Sequence, residues 1–147
     1  MPSAAPNPSE NTLFLTPEEA QSAFYQAFEK NDLTAMMLAW DESDDILCVH
    51  PMAPALYGLE AVTHGWREIF TGGVDMRFSI EPIQRYAQND LVILIVNEVI
   101  SVGSGKRVAP MVSTNIYRQG AHGWRMLTHH AGPAPSPDSP DPSQAVH

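Results

Sequence analysis

Val74-Asp75-Met76-Arg77-Phe78-Ser79-Ile80-Glu81 alternates apolar with polar or charged residues at every step. Successive side chains on a strand point to opposite faces, so this octet predicts a strand with one face buried. Upstream the period is different. Ala20, Phe24, Ala27 and Phe28 recur at helical spacing behind Thr16-Pro17-Glu18-Glu19. That lead carries a capping threonine, a proline suited to the first turn and a glutamate three residues past the cap. Asn31-Asp32 ends this helix and caps a second, marked by Leu33, Met36, Met37 and Trp40. A polar break at 41–45, a short apolar strand at Ile46–His50 and a loop framed by Pro51 and Pro54 follow. A third helix is expected over about Leu59–Phe70, with Leu59, Val62, Trp66 and Ile69 on one side and Gly72-Gly73 as its stop.

Downstream of the octet, Pro82 predicts a bend or bulge. Leu91–Val102 is more continuously apolar and reads as a central strand, and Arg107–Arg118 and Trp124–Ala131 follow it. The breaks at 88–90, 103–105 and 119–123 have hairpin length and hairpin residues. Helices followed by a four-strand antiparallel meander define an α+β domain. The flanks, residues 1–12 and 133–147, are rich in proline and poor in anything that could be buried, so both are expected to be disordered tails around a domain at 13–132.

The chain has 147 residues, which suits one domain. Its 17 acidic residues against 8 Lys and Arg give a net charge of −9, the wrong field for nucleic acid or a basic membrane-surface role. The longest apolar run, Leu91–Val96, is far short of the roughly 20 residues a membrane span needs. No secretory leader is recognised at the start, so a cytoplasmic protein is expected. One cysteine, Cys48, excludes an internal disulfide framework and a cysteine-cluster metal site.

Strand parity sorts the polar residues of the meander. With 102 opposite 107, Glu98 faces Met111 and Asn97 faces Val112. With 118 opposite 124, Ser113 faces His129, Asn115 faces Leu127 and Val112 faces His130. One sheet face then gathers Glu98, Met111, Ser113, Asn115, Leu127 and His129. The other gathers Asn97, Val112, Thr114, Ile116, Trp124, Met126 and His130, and a one-residue slip would exchange the sets. Glu98 interrupts an apolar strand, and a buried carboxylate needs a reason. An ion pair with Arg107 or Arg125 and a role as pocket acid are the two on offer. His129 and His130 point to opposite faces, so they make no metal pair, and no metal or other cofactor is expected. Asp41–Asp45 lacks the alternating spacing and central glycine of a calcium loop. Trp40 and Trp66 read as core, with Trp40 also placed to close a pocket floor, and Cys48 reads as an inert buried thiol.

The order and spacing of several stretches resemble the nuclear transport factor 2-like superfamily. They are Asn31-Asp32-Leu33, Val49-His50-Pro51, Gly58-Leu59-Glu60-Ala61-Val62, Ser113-Thr114-Asn115-Ile116-Tyr117, and Gly123-Trp124-Arg125-Met126 leading to His129-His130. That superfamily holds the SnoaL-like cyclases, ketosteroid isomerase and the association domain of calcium/calmodulin-dependent kinase II. The resemblance implies a cone-shaped fold, three N-terminal helices on a curved, mostly antiparallel sheet, with a pocket at one end and frequent dimers through the sheet. By similarity to the kinase domain, the face of Glu98, Asn115 and His129 is the concave one, and Val112, Ile116 and Trp124 lie on the dimer surface. At the positions of Asn115 and Ala131 the kinase domain carries arginines. His50 stands where ketosteroid isomerase has its aspartate base, and an imidazole titrates in the range that suits proton transfer. The isomerase's oxyanion tyrosine aligns with Phe24, with Tyr25 one position away on the wrong helical face.

These readings give a ligand-binding set of Trp40, His50, Tyr57, Glu98, Ser113, Asn115 and His129. The expected function is binding of a small, partly apolar organic molecule by a homodimer. One alternative is a cofactor-free isomerase, cyclase or dehydratase with His50 as general base and His129, Asn115 or Tyr57 as oxyanion donor. The other is a non-catalytic oligomerisation module like the kinase association domain.

Overall fold

The computed structural model describes residues 14–135. Apart from residues 133–135, the two expected tails lie outside the described residues. The elements in chain order are α1 (Pro17–Lys30), α2 (Leu33–Ala39), β1 (Leu47–Val49), β2 (Leu56–Tyr57), α3 (Gly58–Gly72), β3 (Met76–Gln88), β4 (Leu91–Val102), β5 (Lys106–Arg107), β6 (Met111–Gly120) and β7 (Gly123–Pro133). The helix starts are those the capping residues mark. Thr16 Oγ1 accepts the Glu19 N–H at 3.1 Å, and Asp32 Oδ1 accepts the Ala35 N–H at 3.0 Å. Each satisfies a first-turn donor that has no partner inside its helix. Gly73 ends α3 in the left-handed region, φ 63°, where a Cβ would be strained.

The strands form one sheet in the order β2-β1-β7-β6-β4-β3, with β5 paired to β4. β1 runs parallel to β7, and every other named pair is antiparallel. This is an α+β fold, three helices on an open, mostly antiparallel sheet. Burial along β4 alternates, with Val92, Leu94, Val96, Glu98 and Ile100 facing the helices and the residues between them half-buried. The helix side is closed by an aromatic cluster in which Phe24, Phe28 and Trp66 stack edge to face, at 5.4 Å between Phe24 and Trp66 and 4.8 Å between Phe28 and Trp66.

The bulge that Pro82 predicts lies between Pro82 and Gln84, and β3 runs through it to Gln88, since an edge strand tolerates a proline that donates no ladder bond. Three details depart from the sequence reading. The hairpin after β4 closes at Val102 opposite Lys106, yet Glu98 still faces Met111, because the chain breaks pairing around Pro110 before β6 begins. The β6–β7 register also differs. Gly120 pairs with Gly123, and a second bulge between Ile116 and Tyr117 then leaves Ser113 opposite Ala131 and Asn115 opposite His129. That bulge turns the start of β7 over, so Met126 pairs with Tyr117 and is fully buried, and Trp124 packs on the core cluster. Trp124 and Met126 therefore leave the outer set to which simple alternation assigned them.

Candidate functional site

A partly open cavity of about 260 Å³ lies between α1, α3 and the inner face of the sheet. Its wall is mostly apolar, with Phe28, Ile69, Phe78 and Ile100 prominent, and three polar side chains reach it: His50, Glu98 and His129. Each arrives by a different route. His50 follows β1 directly, Glu98 takes an inward position of β4, and His129 lies where β7 passes between β1 and β6.

Behind the wall Glu98 and His129 are tied by a buried hydrogen-bond chain. The Tyr25 hydroxyl donates to Glu98 Oε2 at 2.6 Å, and Asn115 Nδ2 donates to the Tyr25 oxygen at 3.1 Å. Asn115 Oδ1 lies 2.7 Å from His129 Nδ1 and accepts the Ser113 hydroxyl at 2.7 Å. Gln21 Oε1 accepts from both Asn115 Nδ2 at 3.0 Å and the Tyr117 hydroxyl at 2.8 Å. The directions are assigned from the network as a whole. An oxygen that already faces the Ser113 hydroxyl must also meet a donor on the ring, so His129 carries its proton on Nδ1.

Burial sets the charges. It raises the Glu98 carboxyl above its ordinary range, with the Tyr25 hydroxyl pulling weakly the other way. It pushes His129 down to about 3, helped by the neighbouring His50 and His130, and it lowers His50 as well. Desolvation also raises the Tyr25 and Cys48 groups far from ionisation. At neutral pH both histidines are neutral imidazoles. His50 stands edge-on to Trp66, ring centres 4.7 Å apart, with Nε2 3.5 Å from Cys48 Sγ, and its ring centre is 6.4 Å from that of His129.

Of the seven residues the sequence pointed to, His50, Glu98 and His129 share the cavity wall. Ser113 and Asn115 are fully buried one layer back, where they hold His129. Trp40 and Tyr57 lie elsewhere. Trp40 caps α2 and bridges to Met126 at the edge of β7, which draws it into the core and away from the cone. Tyr57 precedes α3 and is 73% exposed. The partner of Glu98 is neither arginine: Arg125 instead meets Glu42 at 3.4 Å. Tyr25, which the sequence reading put on the wrong helical face, in fact points inward and bonds Glu98 and Asn115. It reaches the inner network although Phe24 fills the expected position. The available signal was the spacing of Gln21, Tyr25 and Phe28, which places two polar groups and a cavity aromatic on one side of α1. A roomier groove of about 370 Å³ lies between α2 and α3, beside Leu33, Met37, Leu59 and Arg125, but it is an open surface feature.

Residues 18–135 match the SnoaL-like domain family, and the chain belongs to it. Among solved structures it is similar to a Thiobacillus denitrificans protein provisionally identified as a calcium/calmodulin-dependent protein kinase type II association domain. The two are 41% identical with a TM-score of 0.80, over 83% of this chain and 98% of that one. A Streptomyces avermitilis protein of the nuclear transport factor 2-like family, provisionally identified as a dehydratase, is 28% identical with a TM-score of 0.72, over 80% and 92% of the two chains. A cystatin-like protein of unknown function from Nostoc punctiforme shares the fold at 13% identity and a TM-score of 0.67, over 84% and 90% of the two chains. Among curated proteins, the F-box protein SKIP8 of Arabidopsis thaliana is 22% identical over 108 residues. That match covers 74% of this chain and 45% of the relative, so the chain spans about half the relative's length. No helix among the described residues is long and apolar enough to cross a membrane.

Proposed function

We propose that this SnoaL-like domain binds a small, partly apolar organic molecule in its cone. One observation carries the reading: His50, Glu98 and His129 converge on a partly open cavity whose wall is otherwise apolar. Ligand sites are typically of this kind, apolar with a few placed polar groups. Native mass spectrometry of protein purified without added ligand tests it, with a bound mass of a few hundred daltons expected. If neither retained ligand nor any of a fragment set shifts cavity resonances, the reading fails.

A second reading makes the same cavity catalytic, as a cofactor-free isomerase, cyclase or dehydratase. What favours it is the neutral imidazole of His50 at the cavity wall with the hydrogen-bonded carboxyl of Glu98 in the same chamber, a base and an acid together. The provisional dehydratase at 28% identity is consistent with it. His50→Ala is expected to lower turnover of an accepted substrate by about a hundredfold or more while leaving the fold unchanged. An unaltered rate removes His50 from the mechanism. The similarity to a kinase association domain supports an assembly role as the remaining alternative, which predicts rings larger than a dimer and an empty cone. We place the protein in the cytoplasm as a homodimer.

A further inference from the structure

We infer that Cys48 positions His50 by donating its thiol proton to Nε2, which holds the imidazole in its Nδ1–H tautomer. The ring then offers a ligand a hydrogen-bond donor and no free lone pair. This rests on the cavity reading above and adds what the ligand presents at His50, an acceptor such as a carbonyl oxygen.

The surroundings of Nε2 fix its role. His50 directly follows β1, two residues after Cys48, and residues two apart along a strand point the same way. Cys48 Sγ thereby comes to 3.5 Å from His50 Nε2. The backbone of α3 closes the same nitrogen in: a Cβ on Gly65 would lie only 3.8 Å from it, and Trp66 stands edge-on to the ring at 4.7 Å. Cys48 and Trp66 are themselves fully buried. Among the described residues the thiol is the hydrogen-bonding partner that Nε2 has.

Which atom donates follows from what each can accept. An ordinary thiol titrates above neutral pH, and burial pushes that of Cys48 higher, so it keeps its proton. Sulfur is a weak acceptor, whereas the bare nitrogen of a neutral imidazole is a good one. Were the ring proton on Nε2, a buried N–H would face sulfur and the thiol proton would have no acceptor among the described residues. With the lone pair on Nε2, a single bond uses both groups, and the ring proton goes to Nδ1. His50 lines the cavity while its Nε2 is turned to β1 and α3. Any hydrogen bond it makes to a ligand therefore comes from Nδ1. The ring in this state is a donor and no general base, which favours binding over the catalytic reading.

Nitrogen chemical shifts read the tautomer directly. In the full chain with isotope-labelled histidine at neutral pH, His50 is assigned by the signals lost in His50→Gln. Its Nε2 is expected at the shift of a bare ring nitrogen and its Nδ1 at that of an N–H, the minor form in free histidine. The opposite pattern overturns the inference with no change to Cys48. Cys48→Ala is expected to return the proton to Nε2, and Cys48→Ser, which keeps a donor, to hold it on Nδ1. A pattern unchanged in Cys48→Ala, or lost equally in both variants, overturns the thiol proton as the cause. In titrations followed by amide NMR, indan-1-one is expected to bind the natural chain about three- to tenfold tighter than indane, the margin of one hydrogen bond. His50→Phe is expected to lose that margin. Equal affinities in the natural chain, or a margin kept in His50→Phe, overturn the donor at the cavity wall and leave the cavity reading standing. If neither probe binds, the cavity reading falls, while the nitrogen shifts still decide what Cys48 does to His50.

Discussion

His129 shows what burial does to a single side chain. Its imidazole is pushed down to about 3 from an ordinary 6.5, so the folded chain refuses a proton that the unfolded chain accepts below 6.5. Stability is therefore complete above 6.5 and is lost as pH falls, at about 1.4 kcal/mol per pH unit for one such group. His50, also lowered, acts in the same direction. Glu98 opposes them. Its carboxyl is raised above 4.5, so between 4.5 and its folded value the folded chain holds a proton the unfolded chain has released. That contribution is present at low pH and lost as pH rises. Between 4.5 and the folded value of Glu98 the histidines and the carboxyl partly cancel, so the acid slope there is shallower than the histidines alone would give. Glu98→Gln removes the opposing group and is expected to steepen it, read as urea midpoints at pH 7, 6 and 5. An unchanged slope would mean that Glu98 does not hold its proton in the fold. Glu98 and His129 were legible from sequence because polar residues in apolar strands need a reason. Tyr25 was not, since a helical residue's direction depends on how its helix rolls against the sheet, and no spacing states that roll.

At the scale of elements, capping chemistry was the most legible part. Thr16 and Asp32 make local bonds that the residues beside them determine. The β6–β7 register was less so. Parity arguments assume one residue faces one residue, and the bulge at Ile116/Tyr117 breaks that count with no glycine or proline to mark it. Alternation still placed Glu98, Ser113, Asn115 and His129 together on the inner face, because the turn shifts the β6–β7 register by one residue and the bulge by one more, and a shift of two keeps parity. The bulge's consequence falls on Arg125, which enters the interior with its side chain only 4% exposed. Among the described residues its Nε and Nη2 have no partner, and Nη1 meets an exposed Glu42 at 3.4 Å. A buried guanidinium so sparsely paired contributes little net stability, while its long stem packs like an apolar side chain. Arg125→Met is expected to leave the melting temperature unchanged or raise it, by up to about 2 kcal/mol in stability. Glu42→Ala, which strips the one paired nitrogen, is expected to lower it. A marked loss in Arg125→Met would show that the guanidinium holds a bond that the geometry leaves open.

For the molecule as a whole, the outer face of the sheet is the unresolved surface. Helices cover the inner face, whereas Ile93, Ile95, Val99, Val112 and Ile116 share the other face of β4 and β6 and are only half-buried. These residues alternate with the inner ones for the reason the opening octet alternates in β3: a strand has two sides. An apolar patch of this kind on a free protomer exposes area that a second copy can cover, and self-complementary two-fold pairing is the commonest way to do it. The net charge of −9 opposes association of two identical chains, so the apolar area has to outweigh that repulsion, and added salt should strengthen the dimer. Ile116→Lys tests the arrangement. Its side chain is on the outer face, away from the cavity, so the fold and the cone are expected to survive. Near a two-fold axis each dimer would carry two new buried cations, a cost of several kcal/mol that places dissociation above micromolar concentration. Light scattering after gel filtration is expected to give a dimer mass for the natural chain and a monomer mass for Ile116→Lys, with the far-ultraviolet spectrum unchanged. A dimer that persists in the variant would move the interface off β4 and β6, and a ring in the natural chain would favour the assembly reading over the pocket.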